Sequence, residues 1–282
     1  MVSALRLPPH VSRPVRISLV DFLNARPLTW GLLKERPPGV SVSRDTPSVC
    51  AEKLAHGEAD VGLIPSIEYQ RIPGLKVIPR LGIAAASEVR SVLLVSNVSR
   101  EKIGSVSLDP ASRTSAVLTR LILKKRYGVT PRFFERREGQ RESADASLVI
   151  GDPALKTRQN GHVVLDLAAE WRAFSGHPFV FAFWAVAPQA PALGVEVILR
   201  ASFEAGRRNF DRLVREEAAE SGLSEAVIED YLRHCLHYEL DRGDFDGLDL
   251  FYRLAAEEGL IPAARPLEFT PRPSSFPEFP LP

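Results

Sequence analysis

Two short segments written in the same order constrain this chain more than any other feature. The first runs from Ala59-Asp60 through the apolar Val61-Gly62-Leu63-Ile64 and ends at Pro65-Ser66. The second runs from Ala144-Asp145 through Ala146-Ser147-Leu148-Val149-Ile150 and ends at Gly151-Asp152. A short apolar run closed by polar residues reads as a strand buried on both faces, the mark of a sheet covered by helices. Two such units imply an α/β fold of two similar lobes, whose strand ends point at a shared crevice where ligands sit. The length of 282 residues exceeds what one core usually supports, which also favours two lobes.

The rest of the chain follows the same grammar. Val15–Val20 alternates like a strand, and Asp21-Phe22-Leu23-Asn24-Ala25-Arg26 leads into a helix that Pro27 can open, with Leu28, Leu32 and Leu33 on one face. Thr46 is expected as an N-cap, Pro47 as the first helical residue and Gly57 as the stop. The apolar runs Ser91–Ser96 and Phe179–Val186 read as strands that leave the first lobe and return to it. The expected division is therefore 1–96 with 182–282 as one lobe and 97–181 as the other. Beyond the return the chain reads as all helix: Leu199 to about Ser221, then a helix capped by Ser224 with Val227, Ile228, Tyr231, Leu232 and Cys235 on one stripe, then Leu248 to Glu258 stopped by Gly259. These helices are expected to pack on the first lobe, away from the chemistry. Prolines without a period, among them Pro8, Pro9 and Pro14, make both ends read as loosely attached.

Charge and motifs exclude several function classes. With 36 Lys and Arg against 35 Asp and Glu, the net charge of +1 argues against nucleic acid as a partner. No apolar run is long enough for a membrane span and the first residues lack a signal-peptide core, so a cytoplasmic protein is expected. Cys50 and Cys235 read as buried thiols, and His234 and His237, three apart with no evident partner, do not suggest a metal site. No glycine-rich nucleotide loop and no G-x-S-x-G elbow is present. Trp171, Trp184 and the Phe179 to Phe183 group read as core before pocket wall.

The densest polar constellation is Ser107-Leu108-Asp109-Pro110-Ala111-Ser112-Arg113-Thr114-Ser115, ahead of apolar residues at helical spacing. Ser112 as N-cap puts Arg113, Thr114 and Ser115 in a first turn, where free N–H groups and the helix dipole favour an anion. Taken alone, a capped helix with one solvated arginine is the ordinary account of these residues, since Ser and Thr are the usual caps. A second group of donors facing them changes the balance, and Asn24 supplies one from the turn after the first strand. Ser66, Ser91 and Asp152 stand at other strand ends, so the set together describes a small-anion site.

Six stretches, RISLVDFLNARPLTWGL, GEADVGLIPSIEY, SVLLVS, SLDPASRTSAVL, LVIGDPAL and DLAAEWRAFSGHPFVFAFWAV, cover most of residues 15–190 in this order. They resemble the chorismate dehydratases of the futalosine route to menaquinone, enzymes with a type 2 periplasmic-binding-protein-like fold. The helical 195–260 region is similar only in kind. The sister 1,4-dihydroxy-6-naphthoate synthases open with a Ser-Pro-Cys-Pro-Asn-Asp pattern, where this chain has Val20-Asp21-Phe22-Leu23-Asn24-Ala25. The resemblance implies loss of water from chorismate to give 3-[(1-carboxyvinyl)oxy]benzoate, with no cofactor and no metal. It further implies that Ser112, Arg113, Thr114, Ser115 and Ser66 bind a substrate carboxylate, while Asn24 and Ser91 position the enolpyruvyl arm and the leaving hydroxyl. The base is either the substrate's own enolpyruvyl carboxylate or Asp152. The sister synthase and a non-enzymatic small-carboxylate-binding protein remain alternatives at this point, and nothing in the sequence indicates an oligomeric state.

Overall fold

The structure, a computed structural model, describes residues 13–136, 143–157, 160–190 and 194–271. Pro8, Pro9 and the prolines beyond 271, read above as loose ends, lie outside the described residues. Strands β1 (Val15–Val20), β2 (Val40–Asp45), β3 (Val61–Pro65) and β4 (Lys76–Ala85) are followed by β5 (Val92–Ser96), β6 (Ser105–Leu108), β7 (Arg132–Glu135), β8 (Ala146–Ile150) and β9 (Val163–Asp166), and then by β10 (Phe179–Val186) and β11 (His237–Glu239). They form a six-stranded sheet in the order β11-β4-β10-β3-β1-β2 and a five-stranded sheet in the order β7-β6-β8-β5-β9. The helices are α1 (Arg26–Lys34), α2 (Pro47–Ala55), α3 (Glu68–Arg71), α4 (Arg113–Leu121), α5 (Asp152–Leu155), α6 (Leu167–Ser175), α7 (Val195–Arg208), α8 (Phe210–Ser221), α9 (Glu225–Asp230) and α10 (Arg242–Glu257).

The two Ala-Asp openings have the same structural task. Asp60, ahead of β3, accepts from the backbone N–H of Arg16 in the adjacent β1 at 2.9 Å, and its carboxylate also takes the guanidinium groups of Arg13 and Arg16. Asp145, ahead of β8, accepts from the N–H of Gly104 at 2.9 Å and the hydroxyl of Ser105 at 3.0 Å, where β6 begins. Each aspartate therefore pins the start of the parallel strand beside it. β3, with α2 against it, is buried along its whole length, whereas β8, with α4 against it, alternates buried and half-buried residues and so departs from the doubly buried strand its sequence suggested.

Several boundaries differ from the sequence reading. Val92–Ser96, expected with the first lobe, pairs with β8 and β9 in the five-stranded sheet, whereas all of β10 from Phe179 lies between β3 and β4. The first crossing is thus the segment 86–91 and the return lies just before Phe179. Both strands are apolar along their length, so their composition did not say which sheet they join. The helix expected from Leu199 to Ser221 is broken at Asn209, whose side-chain amide donates to the Ala205 carbonyl at 2.8 Å. β11 interrupts a region read as wholly helical and places His237 on a strand, with Asp244 as its partner at 2.8 Å. α10 starts at Arg242 and not at Leu248, because Asp241 and Asp244 form a reciprocal capping box and Phe245 extends the buried stripe by one turn.

The C-terminal helices do more than cover one sheet. α7 lies so close to α1 that Ser202 Oγ donates to the Leu28 carbonyl at 2.8 Å and accepts from Leu32 N at 3.1 Å. A β-carbon on Gly206 would stand 2.2 Å from the Pro27 carbonyl oxygen, so the approach depends on that glycine. α10 packs on β10 and also on α4, and Glu258 just beyond it pairs with Lys124 and Lys125. Residues 265–271 are docked too: Val77 N donates to Glu268 O at 2.7 Å and Thr270 N to Val77 O at 3.0 Å. Trp171, Phe179 and Phe251 stack edge to face in the core, as expected for that aromatic group. Cys50 and Cys235 are buried free thiols.

Candidate active site

Strands of both sheets and the crossing segment 86–91 meet at a cavity lined by residues from each. The chain leaving β1 makes a single 3-10 turn, Leu23–Ala25, before α1. That turn puts Asn24 on the cavity wall with its Oδ1 buried and without a hydrogen-bond partner. Buried amide oxygens are seldom left unpaired, since the lost hydration costs about 1–3 kcal/mol. An acceptor held in this way is free to receive a donor from a bound molecule.

Opposite it, α4 begins at the floor of the cavity. Ser112 holds the N-cap position but its hydroxyl makes no bond to the helix, and Arg113, Thr114 and Ser115 follow in the first turn. The first-turn N–H groups of a helix lack intrahelical acceptors and point along the positive end of the dipole. Thr114 is partly committed, because its Oγ1 accepts from Ile67 N at 3.2 Å. Arg113, expected to bind a carboxylate of the substrate, already has two within the protein: Nη1 lies 3.0 Å from Glu68 Oε2, and Nη2 pairs with Glu52. Its charge is largely answered by the two carboxylates, so the hydroxyls and amides of the turn carry more of any anion's binding.

Ser91 enters from the crossing segment between the sheets. Its carbonyl accepts from Gly151 N at 2.8 Å, and its Oγ accepts from the hydroxyl of Tyr231 at 2.7 Å. Gly151 itself has φ 65° and ψ −148°, a conformation open in practice only to glycine, and it lets the end of β8 reach the cavity wall. The segment before Ser91 is fixed by Asp166. Its carboxylate accepts from Val89 N at 2.9 Å and Arg90 N at 2.6 Å while capping α6 through Ala168 N and Ala169 N. Burial raises the Asp166 carboxyl above its ordinary value, and the four N–H donors work against that rise.

Asn24, Ser91, Ser112, Arg113, Thr114 and Ser115 therefore share one cavity. Two candidates stand apart from it. The hydroxyl of Ser66 donates to Val180 O at 2.8 Å, behind Thr114, and does not line the cavity. Asp152 does not line it either; its Oδ1 accepts from Leu23 N at 3.3 Å, which joins α5 to the turn that carries Asn24. The walls that sequence reasoning did not assign are apolar: Val20, Phe22, Ile83, Ile150, Phe181 and Leu236. Hydroxyls and an amide set among these apolar walls suit a carboxylic acid with a hydrocarbon ring. Among the described residues no cluster of three or more His, Cys, Asp or Glu is arranged to hold a metal ion.

The sequence profile described as menaquinone biosynthesis matches residues 15–257. The chain belongs to this menaquinone biosynthesis family. Within the curated proteins it is 30% identical over 263 residues to the chorismate dehydratase of Thermus thermophilus, a match that covers 85% of this chain and 94% of that protein. A crystal structure of a protein from Archaeoglobus fulgidus superposes with a TM-score of 0.74 at 16% identity, covering 89% of this chain and all of that one. The periplasmic aliphatic sulphonate binding protein of Escherichia coli superposes with a TM-score of 0.61 at 20% identity, covering 96% and 97% of the two chains. These likenesses give the family member a two-lobed periplasmic-binding-protein-like fold. The profile ends close to the end of α10, so the helical region that resembled relatives only in kind falls within the family match.

Proposed function

We propose that this protein is a chorismate dehydratase of menaquinone biosynthesis, removing water from chorismate to give 3-[(1-carboxyvinyl)oxy]benzoate. The observation that carries the reading is the match to the Thermus thermophilus chorismate dehydratase along nearly its whole length. The cavity supports it chemically. Chorismate is a dianion on a non-aromatic ring, and the site offers hydroxyl and amide groups among apolar walls.

The reaction is an elimination. The C3–H bond breaks and its electron pair becomes the C3–C4 π bond, hydroxide leaves C4, and the two fragments combine as water. The product ring is aromatic, so the driving force is large and orientation is the main requirement. In this reading the first turn of α4 holds one carboxylate, and Asn24 and Ser91 hold the enolpyruvyl arm and the leaving hydroxyl. The position of Asp152 outside the cavity lining favours the substrate's own enolpyruvyl carboxylate as the base. An enzyme of this kind, in contrast to an exported receptor of the same fold, works in the cytoplasm.

A plain carboxylate-binding receptor is the rival from another class, and only the likeness of fold to transport proteins speaks for it. Mass spectrometry of chorismate incubated with the purified protein separates the two. A product lighter by one water supports the dehydratase; unchanged chorismate retained by the protein supports the receptor.

A further inference from the structure

We infer that Tyr231 is a positioning residue for the dehydration, holding the Ser91 hydroxyl so that its proton is directed into the cavity. The inference rests on the reading of the site as a chorismate dehydratase. Tyr231 lies at the first position of a π-helical turn, Tyr231–Cys235, that continues α9, and π-turns of this kind often mark functional sites. Its side chain is fully buried. Its hydroxyl donates to Ser91 Oγ at 2.7 Å, a well-formed hydrogen bond between neutral groups.

A serine hydroxyl has one proton and accepts through its lone pairs. With Tyr231 filling one lone pair, and with Ser91 lining the cavity, the serine proton has no other acceptor among the described residues. It is left for the ligand. A hydroxyl that receives a hydrogen bond is a better donor in turn, since chains of such bonds polarise one another. The tyrosine keeps its own proton, because burial pushes its ionisation well above the usual range.

The backbone around the pair is built to hold it. Asp230, the residue before Tyr231, pairs with Arg90, the residue before Ser91. Asp166 fixes the N–H groups of Val89 and Arg90. Leu236, just past the π-turn, continues onto the cavity wall. Two adjacent residues on each side are thus docked together, and the helical region after β10 contributes to the site it was expected only to support.

The test is a double-mutant cycle on chorismate turnover with Tyr231→Phe, Ser91→Ala and the double variant. Tyr231→Phe removes one oxygen, and kcat is expected to fall about five- to tenfold, the scale of one hydrogen bond, with KM within about twofold of wild type. In the Ser91→Ala background the same change is expected to have no further effect, because the group it orients is gone. A purely structural role would lower both backgrounds by the same factor, and this multiplicative result would overturn the inference. So would an unaltered kcat in Tyr231→Phe. If Tyr231→Phe weakens the fold, the cycle still decides, since a fold defect persists in the double variant. A wild-type protein that leaves chorismate untouched would instead remove the functional reading on which the inference rests.

Discussion

The backbone N–H of Leu23 donates to the carboxylate of Asp152 at 3.3 Å, linking the turn after the first strand of one sheet to the helix that follows the central strand of the other. This bond makes Asp152 a clasp across the cleft, and the proposed reading gives the role of base to the substrate's own carboxylate. Asp152→Asn keeps an acceptor oxygen at the same place. It is expected to retain kcat within about threefold of wild type, whereas loss of a general base usually costs about 100-fold or more. A pH profile of kcat/KM for both proteins checks this.

The unpaired Oδ1 of Asn24 implies a trade between stability and activity. Asn24→Ala removes a buried acceptor that no protein group satisfies, so the variant is expected to melt at the same temperature as wild type or higher. Turnover of chorismate is expected to fall by about 100-fold, the scale of losing one preorganised polar contact to the reacting molecule. Calorimetry and steady-state kinetics on the same preparation test both halves.

Burial alone would raise the carboxyl of Asp60, but hydrogen bonds from Arg13 and Arg16 outweigh it and hold the group well below the usual carboxylate range. A depressed folded value stabilises the fold above the unfolded value of about 4. That contribution is lost as pH falls through the acid range toward the folded value. Asp60→Asn is expected to lower stability at pH 7 and to flatten its acid-side dependence, read from denaturant melts across the acid range. A variant with the wild-type pH dependence would contradict the assignment.

Gly206 sets the distance between the first helix and the long helix after the return strand. Gly206→Ala adds a β-carbon against the Pro27 carbonyl, and a loss of about 1–3 kcal/mol is expected from overpacking. A shifted urea midpoint with an unchanged slope would show that only stability is affected.

The elements legible in the sequence were those with a strong period or a fixed backbone residue. Val61–Pro65 and Ala146–Ile150 stand where their apolar runs placed them, and Pro47 and Gly57 bracket their helix. The polar turn from Ser112 to Ser115 and Asn24 do share a cavity. The sheet membership of Val92–Ser96 was not legible, because pairing partners are long-range and its composition suits either sheet. Arg113 was read as free because Glu52 and Glu68 are distant in sequence. Tyr231 was hidden by its stripe: on an amphipathic helix a tyrosine among Ile228, Leu232 and Cys235 looks like core, and only the fold brings its hydroxyl to Ser91.

Chorismate incubated with the purified protein, with no added cofactor, is followed by ultraviolet absorption against an enzyme-free control. Dehydration of chorismate is expected to show as loss of the cyclohexadiene absorption, growth of a benzoate-type chromophore at a rate proportional to protein, and one 3-[(1-carboxyvinyl)oxy]benzoate for each chorismate consumed. Chorismate recovered unchanged at high protein concentration would contradict it.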